Sequence, residues 1–210
     1  MSSAPLTATP APLLPANKPK SAAPQHPLLS HLPHCTSLRG LAQLHAAAVK
    51  AGLAAHPALV TRLLTLCTGP GAGPAHLAYA RQVFDRVPQP SDAVWYNTLL
   101  RGYARSPSSS SSSAAAARVF VRMLEEGVAP DTYTFVSLLK ACAAARAGEH
   151  GRQAHAVAVK LGAAGHDYVR PTLINMYAEC GDARAARVTF GRADGDCVVS
   201  YNAMIAAAVR

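Results

Sequence analysis

The sequence has no acidic residue before Asp85 and no arginine before Arg39. It also has no run of 18 consecutive apolar residues, so no membrane-spanning helix is expected. Residues 1–25 lack the uninterrupted apolar core of a secretory signal peptide. The sequence therefore predicts neither an integral membrane protein nor a secreted one.

The N-terminal segment, residues 1–25, is rich in Ala, Pro, Ser and Thr. Its prolines prevent a continuous helix, so we expect disorder here. A serine-rich segment without acids is typical of organelle transit peptides, and mitochondrial ones usually depend on arginine. Because this segment contains no arginine, a chloroplast address is favoured over a mitochondrial one. A disordered tail without an address is the remaining alternative.

The chain also lacks the residue patterns of metal sites and of deaminase chemistry. None of the five cysteines belongs to a Cys-x-x-Cys pair, the usual way to bring zinc ligands together. Cys67, Cys142 and Cys180 are predicted to pack in the core, and His45 and His155 recur at matched positions as structural residues. The His-x-Glu and Pro-Cys-x-x-Cys elements of zinc deaminases do not occur. No metal, cofactor or enzymatic activity is predicted for these 210 residues.

Several short phrases recur along the chain. The segment 43–52, QLHAAAVKAG, returns at 153–162 as QAHAVAVKLG, displaced by 110 residues. The pair Tyr96-Asn97 returns as Tyr201-Asn202, displaced by 105 residues. Several echoes at similar offsets indicate an array of repeats and argue against a single globular core.

Phasing on the second echo gives units of 39, 35 and 31 residues, at 93–131, 132–166 and 167–197. The first is lengthened by a serine-rich insertion, 106–113, which we expect in a surface turn because loop-closure entropy grows slowly with length. Each unit contains two short helical patterns. Such a pair cannot bury its apolar face alone, so the units should stack as a solenoid. At least eight helices and no sheet are expected between about 27 and 210.

Helix boundaries can be placed by capping residues. Asp131 and Asp167 precede helical patterns and are predicted to cap free backbone N–H groups. Gly162 and Gly181 are predicted stops, because glycine adopts the left-handed conformation at low cost.

Three segments carry a resemblance to a known family: 94–103 (VWYNTLLRGY), 130–142 (PDTYTFVSLLKAC) and 172–181 (TLINMYAECG). They resemble the plant pentatricopeptide repeats, and the alternating unit lengths resemble the L, S and P repeat types of chloroplast RNA-editing factors. The resemblance implies an all-α, right-handed α-solenoid. The repeats would be a degenerate L type at 26–56, S at 57–92, P at 93–131, L at 132–166, S at 167–197 and an incomplete P at 198–210.

In this family one repeat reads one RNA base with two or three side chains. The resemblance places one reader at the fifth residue of the first helix, called here the reading position, and another at the last residue of the repeat. Apolar second residues sandwich the base. This implies that Asn97 with Asp131 prefers pyrimidines, uracil above all, and that Thr61 with Asp92 prefers guanine. The other implied RNA-binding residues are Val94, Tyr133, Val136, Tyr168, Pro171, Cys197 and Asn202.

Some units depart from the family pattern. Val136 cannot form a hydrogen bond, and Pro171 with Cys197 leaves the base preference of that unit open. Asn202 opens a unit whose last residue lies beyond Arg210, so the chain resembles a fragment. For Asn97 a local alternative exists, in which it satisfies backbone N–H groups at a helix start.

Two classes of function follow. The first is a sequence-specific protein that binds single-stranded organellar RNA and specifies C-to-U editing sites with a deaminase-bearing partner or domain, or else stabilises or splices transcripts. The second is a tetratricopeptide-like scaffold that holds a protein. The excess of 20 Lys plus Arg over 11 Asp plus Glu suits RNA but does not require it. No small-molecule substrate is expected.

Overall fold

A computed structural model of the protein describes residues 27–31, 34–35, 37–87, 90, 92–105, 110–191 and 198–208. The predicted transit segment, 1–25, and the predicted site residue Cys197 lie outside the described residues. The described part contains helices and no strand. In order these are α1 (Pro27–His31), α2 (Leu38–Lys50), α3 (Pro57–Cys67), α4 (Pro74–Asp85), α5 (Ala93–Arg105), α6 (Ser110–Glu125), α7 (Thr132–Ala144), α8 (Gly148–Lys160), α9 (Val169–Glu179), α10 (Ala183–Gly191) and α11 (Val198–Ala208).

The helices form a stack of pairs. Within the units α3 packs on α4, α5 on α6, α7 on α8 and α9 on α10. The first helices of the units, α3, α5, α7, α9 and α11, also pack against one another in series. All the extensive contacts among the described helices therefore join helices of one unit or of adjacent units, which confirms the predicted all-α solenoid of helix pairs. Of these helices, none is long and apolar enough to cross a membrane.

Most predicted helix boundaries are found. The Asp131 carboxylate accepts a hydrogen bond from the Thr134 N–H and caps α7. Gly162 and Gly181, with φ of 70° and 79°, follow the ends of α8 and α9 as predicted. The predicted cap at Asp167 is wrong, because α9 begins only at Val169 and its N-cap residue Tyr168 makes no side-chain capping bond. The later start keeps a proline in the first turn, where its missing N–H costs no hydrogen bond.

The serine-rich insertion differs from its prediction as a surface turn. Helix α6 already begins at Ser110, so the second half of the insertion is helical, and Ser113 is only 1% exposed. The physical reason is the alanine run 114–117, since alanine is the best helix former and extends the helix backwards. Residues 106–109 lie outside the described residues.

A partly exposed charged side chain joins two consecutive units. The Arg122 guanidinium lies 4.8 Å from the centre of the Phe84 ring and forms ion pairs with Asp85 at 3.3 Å and Glu126 at 2.7 Å. Glu126 also accepts a hydrogen bond from the hydroxyl of the buried Tyr96. Burial, and then this bond, raise the pKa of Tyr96 above its usual range. Arg122 on α6 thus ties the α3–α4 pair to the α5–α6 pair.

The four described cysteines are free, and Cys67 and Cys142 are fully buried as predicted. Burial raises the pKa of Cys67 to about 11 and that of Cys142 to about 12, so both thiols are neutral at physiological pH. His45 and His155 each form a 2.8 Å hydrogen bond through Nδ1 to a tyrosine hydroxyl. Among the described residues no group of three or more His, Cys, Asp or Glu could hold a metal ion.

These two thiols predict a loss of stability at alkaline pH. A thiol of ordinary pKa near 9.0 ionises in the unfolded chain first, so the unfolded state binds fewer protons than the folded state as pH rises. The free energy of unfolding should therefore fall as pH rises from about 9 to about 12. Urea unfolding followed by circular dichroism at several pH values measures this. A Cys67→Ala, Cys142→Ala double variant should show a shallower decline, and an equally steep one would contradict the assignment.

Candidate nucleic-acid interface

The reading positions lie at equivalent places on the first helices of successive units. Thr61, Asn97, Val136 and Asn202 are each the fifth residue of their helix, α3, α5, α7 and α11. These helices pack side by side in the order α3, α5, α7, α9 and α11. A single surface therefore carries the reading positions of α3, α5, α7 and α11, whereas on α9 the predicted residue Pro171 is the third residue of its helix.

Asn97 and Asp131 are joined directly. The Asn97 Nδ2 atom lies 3.1 Å and 3.0 Å from the two carboxylate oxygens of Asp131, which sits 34 residues later at the start of α7. A carboxylate only accepts, so the nitrogen side of the amide must face it. The side-chain partners of Asn97 thus come from the next unit, in contrast to the local capping alternative.

Thr134 completes this group of polar side chains. Its hydroxyl accepts a hydrogen bond from the Asp131 N–H at 3.0 Å and lies 2.7 Å from the Asn97 Oδ1 atom. Two oxygens at that distance need a proton between them, and the amide oxygen carries none, so Thr134 donates. Thr134 is fully buried, and the amide plane of Asn97 is therefore held from both ends.

Thr61 and Asp92 are arranged differently. The Thr61 hydroxyl accepts a 2.7 Å hydrogen bond from the indole Nε1–H of Trp95. The Asp92 carboxylate accepts from the Val94 N–H at 2.9 Å. Within the described residues, which include both partners, the structure records no hydrogen bond between Thr61 and Asp92. The predicted guanine pair thus occupies the two expected positions of its unit, but its members are not hydrogen-bonded to each other.

Large apolar and aromatic side chains are exposed one helical turn before the reading positions. Val94 on α5 is 51% exposed, and Tyr133 on α7 and Tyr168 before α9 are 73% and 71% exposed. Val94 and Tyr133 are three residues before Asn97 and Val136 and share a helix face with them, whereas Tyr168 precedes its helix. Exposed aromatic side chains at regular spacing suit stacking on planar rings.

The remaining predicted residues differ in their surroundings. Val136 is half-buried and Asn202 is exposed at the fifth position of α11. Pro171 is buried and is the third residue of α9, because that helix begins two residues later than the repeat phase. The surface of Pro171 is thus largely closed to a ligand.

Four residues at or beneath this surface were not predicted from the sequence. Arg101 and Lys140 are exposed one turn after the reading positions of α5 and α7, where positive charge can meet a polyanion. Counting four residues onward from Asn97 and Val136 would have found them. Trp95 and Thr134 were missed because their contacts cross between units and have no local sequence signal.

Comparison with known proteins adds to this geometry. The PPR repeat family matches residues 91–144. A chloroplastic pentatricopeptide repeat-containing protein of Arabidopsis thaliana is 44% identical over 86% of this chain and 29% of its own length. Two others from that plant, one of them named as chloroplastic, are 35% and 34% identical over 84% and 83% of the chain, and 20% and 23% of their own lengths. The chain thus spans less than a third of the length of these relatives.

Proposed function

Because the chain belongs to the pentatricopeptide repeat family, we propose that it binds single-stranded RNA of an organelle in a sequence-specific manner. The observation that carries the proposal is the Asn97–Asp131 pair, with Val94 and Tyr133 exposed on the same two helices. The two side chains offer faces for a base ring, and the fixed amide offers hydrogen bonds to its edge.

In the proposed interface, different residues contribute affinity for RNA and specificity for its bases. Arg101 and Lys140 contribute attraction for phosphate, which is independent of sequence. The reading positions contribute discrimination, through one amide at Asn97 and one hydroxyl at Thr61. Single-stranded RNA is favoured over a duplex because its bases are free to stack on side chains.

A finer proposal concerns the repeat types and the process served. We propose alternating L, S and P repeats, with the boundaries given by the sequence, in a protein that specifies C-to-U editing sites. The unequal lengths of successive units, 39, 35 and 31 residues, support the alternation. Deamination would come from another domain or a partner. Transcript stabilisation or splicing is the alternative use of the same RNA contacts.

We also propose a chloroplast location. The support is the arginine-free, acid-free segment at 1–25 and the word chloroplastic in the names of two similar plant proteins. Expression of the chain with a C-terminal fluorescent protein in leaf cells tests this. Mitochondrial fluorescence would contradict the chloroplast location and show that the lack of arginine in 1–25 does not exclude mitochondrial import.

The binding proposal is tested by titrating the full chain with labelled single-stranded RNA and following fluorescence anisotropy. We expect weak binding, with dissociation constants of about 10⁻⁴–10⁻⁶ M, because few units carry a complete reading pair. The double variant Arg101→Gln, Lys140→Gln should weaken all RNAs alike and reduce the slope of log K against log salt by about 1.4.

The matched control is Lys50→Gln, Lys160→Gln, which removes two exposed charges from second helices. It should leave the salt slope nearly unchanged. Equal effects of the two double variants would place the RNA elsewhere, and binding of a folded protein partner with no RNA binding would favour the scaffold alternative.

A further inference from the structure

We propose that each reading position is set by a third side chain, which the following unit supplies two residues before its own reading position. We call this the contact position, and at the two junctions with polar readers it is occupied by Trp95 and Thr134. Both are positioning residues that determine which hydrogen bonds Thr61 and Asn97 offer to a base. The inference rests on the RNA binding proposed above.

The first support is that the contact occurs at two successive junctions with different chemistry. The Trp95 indole N–H donates to the Thr61 hydroxyl at 2.7 Å, and the Thr134 hydroxyl donates to the Asn97 Oδ1 atom at the same distance. Both donors are buried, with Trp95 5% exposed and Thr134 fully enclosed. Because unlike residues make the same contact at equivalent positions, the contact is a property of the position in the repeat and not of one kind of side chain.

The second support comes from the other two junctions, where the reading side chain cannot form a hydrogen bond. Val136 is an apolar reading position, and the contact position of the next unit is the buried Val169. Pro171 has no donor or acceptor on its side chain, and the next contact position is Ser200. Ser200 is 1% exposed, and its hydroxyl has no hydrogen-bond partner among the described residues. Where the reading side chain cannot bond, the contact hydroxyl is therefore left unpaired.

The consequence for base recognition differs between the two polar junctions. At Thr61 the Trp95 N–H occupies an acceptor lone pair, so the hydroxyl proton is directed away from Trp95, toward an acceptor on a base or a neighbour. At Asn97 the Thr134 hydroxyl fills one lone pair of Oδ1 and holds the amide plane. Because Asp131 engages one Nδ2–H, the free Oδ1 lone pair and the remaining Nδ2–H then face a base in one orientation only.

The test uses the full chain and compares base preference at two positions of the RNA. These are the base that faces Asn97, called the Asn97 register, and the base that faces Thr61, called the Thr61 register. Thr134→Val keeps the shape and removes the hydroxyl, and Thr134→Ser restores it. We expect Thr134→Val to weaken RNAs with a pyrimidine at the Asn97 register by about three- to ten-fold, the scale of one hydrogen bond, and Thr134→Ser to recover most of this. Trp95→Phe should relax preference at the Thr61 register alone, so each variant controls the other.

Thr189→Val is the control for loss of a buried hydroxyl outside the interface, since Thr189 on α10 is 7% exposed and bonds only its own helix at Ala185. It should change no base preference. Independently of RNA, the Asn97 side-chain amide resonance should move in Thr134→Val and return in Thr134→Ser.

The outcomes separate two failures. If the unsubstituted chain discriminates bases but Thr134→Val weakens every RNA equally, Thr134 is a structural residue and the inference is overturned. If the unsubstituted chain shows no base preference at any register, the proposed function fails, and this inference fails with it. Loss confined to one register, with recovery by serine, supports both.

Discussion

Replacing Asn97 by threonine is expected to move base preference at its register from pyrimidine toward guanine by about ten-fold, the scale of one or two hydrogen bonds. Asparagine offers a fixed amide donor and acceptor, whereas threonine offers a single rotatable hydroxyl. Asp131 remains in place, so the new pair matches the Thr61 and Asp92 pair of the preceding unit in residue type. Anisotropy titrations with RNAs that differ only at that base measure the change.

Asn175→Thr is the matched control, because it makes the same substitution on another first helix, α9. It should leave the preference at the Asn97 register unchanged. If Asn97→Thr instead weakens all RNAs by the same factor, Asn97 is a structural residue and the assignment of reading pairs is wrong.

Replacing Gly102 by alanine is expected to destabilise the fold by about 1–3 kcal/mol, the usual cost of overpacking. A Cβ atom there would lie 2.7 Å from Cγ2 of Thr68 and 2.8 Å from Cδ1 of Leu77. Thr68 is branched and its hydroxyl is bonded to the Leu64 carbonyl, so it cannot easily move aside. The loss outweighs the gain of about 0.5–1 kcal/mol that alanine normally brings to a helix. Urea and thermal unfolding measure it.

Two further variants test whether the steric clash at Gly102 causes the loss of stability. Gly148→Ala on α8 is the control, because a Cβ atom there would meet its nearest neighbour at an ordinary 3.5 Å. It should leave stability unchanged or raise it. Combining Gly102→Ala with Thr68→Ser removes the closest methyl group and keeps the hydroxyl bond, so it should recover part of the loss. No recovery would mean that the clash with Thr68 does not cause the destabilisation.

The architecture was predictable because helical repeats are local. The echo of Tyr96-Asn97 at Tyr201-Asn202, 105 residues later, gives the repeat phase, and caps such as Asp131 depend only on nearby residues. The cap at Asp167 and the surface turn at 110–113 were predicted wrongly, because the first residue of a helix depends on how far the residues after it extend the helix. Ser110 entered α6 because of the alanines after it.

The site was predictable only in part. The pairing of Asn97 with Asp131 follows from the repeat phase, and the structure brings the two within hydrogen-bond distance. The bond from Trp95 to Thr61 could not be predicted, because it depends on how far one helix slides along the next. The burial of Pro171 likewise follows from the late start of α9 and not from its position in the repeat.

The bonds from Asn97 to Asp131 and Thr134 affect how units could be exchanged between proteins of this kind. The partners of Asn97 occupy the N-cap and the third residue of α7, the first helix of the next unit, so the proposed base preference belongs to the junction between two units. A cut placed at 131/132 would separate Asn97 from Thr134. Transplanted segments should instead run from just after one contact position through the next, 96–134 here, so that each reading side chain travels with the neighbours that orient it.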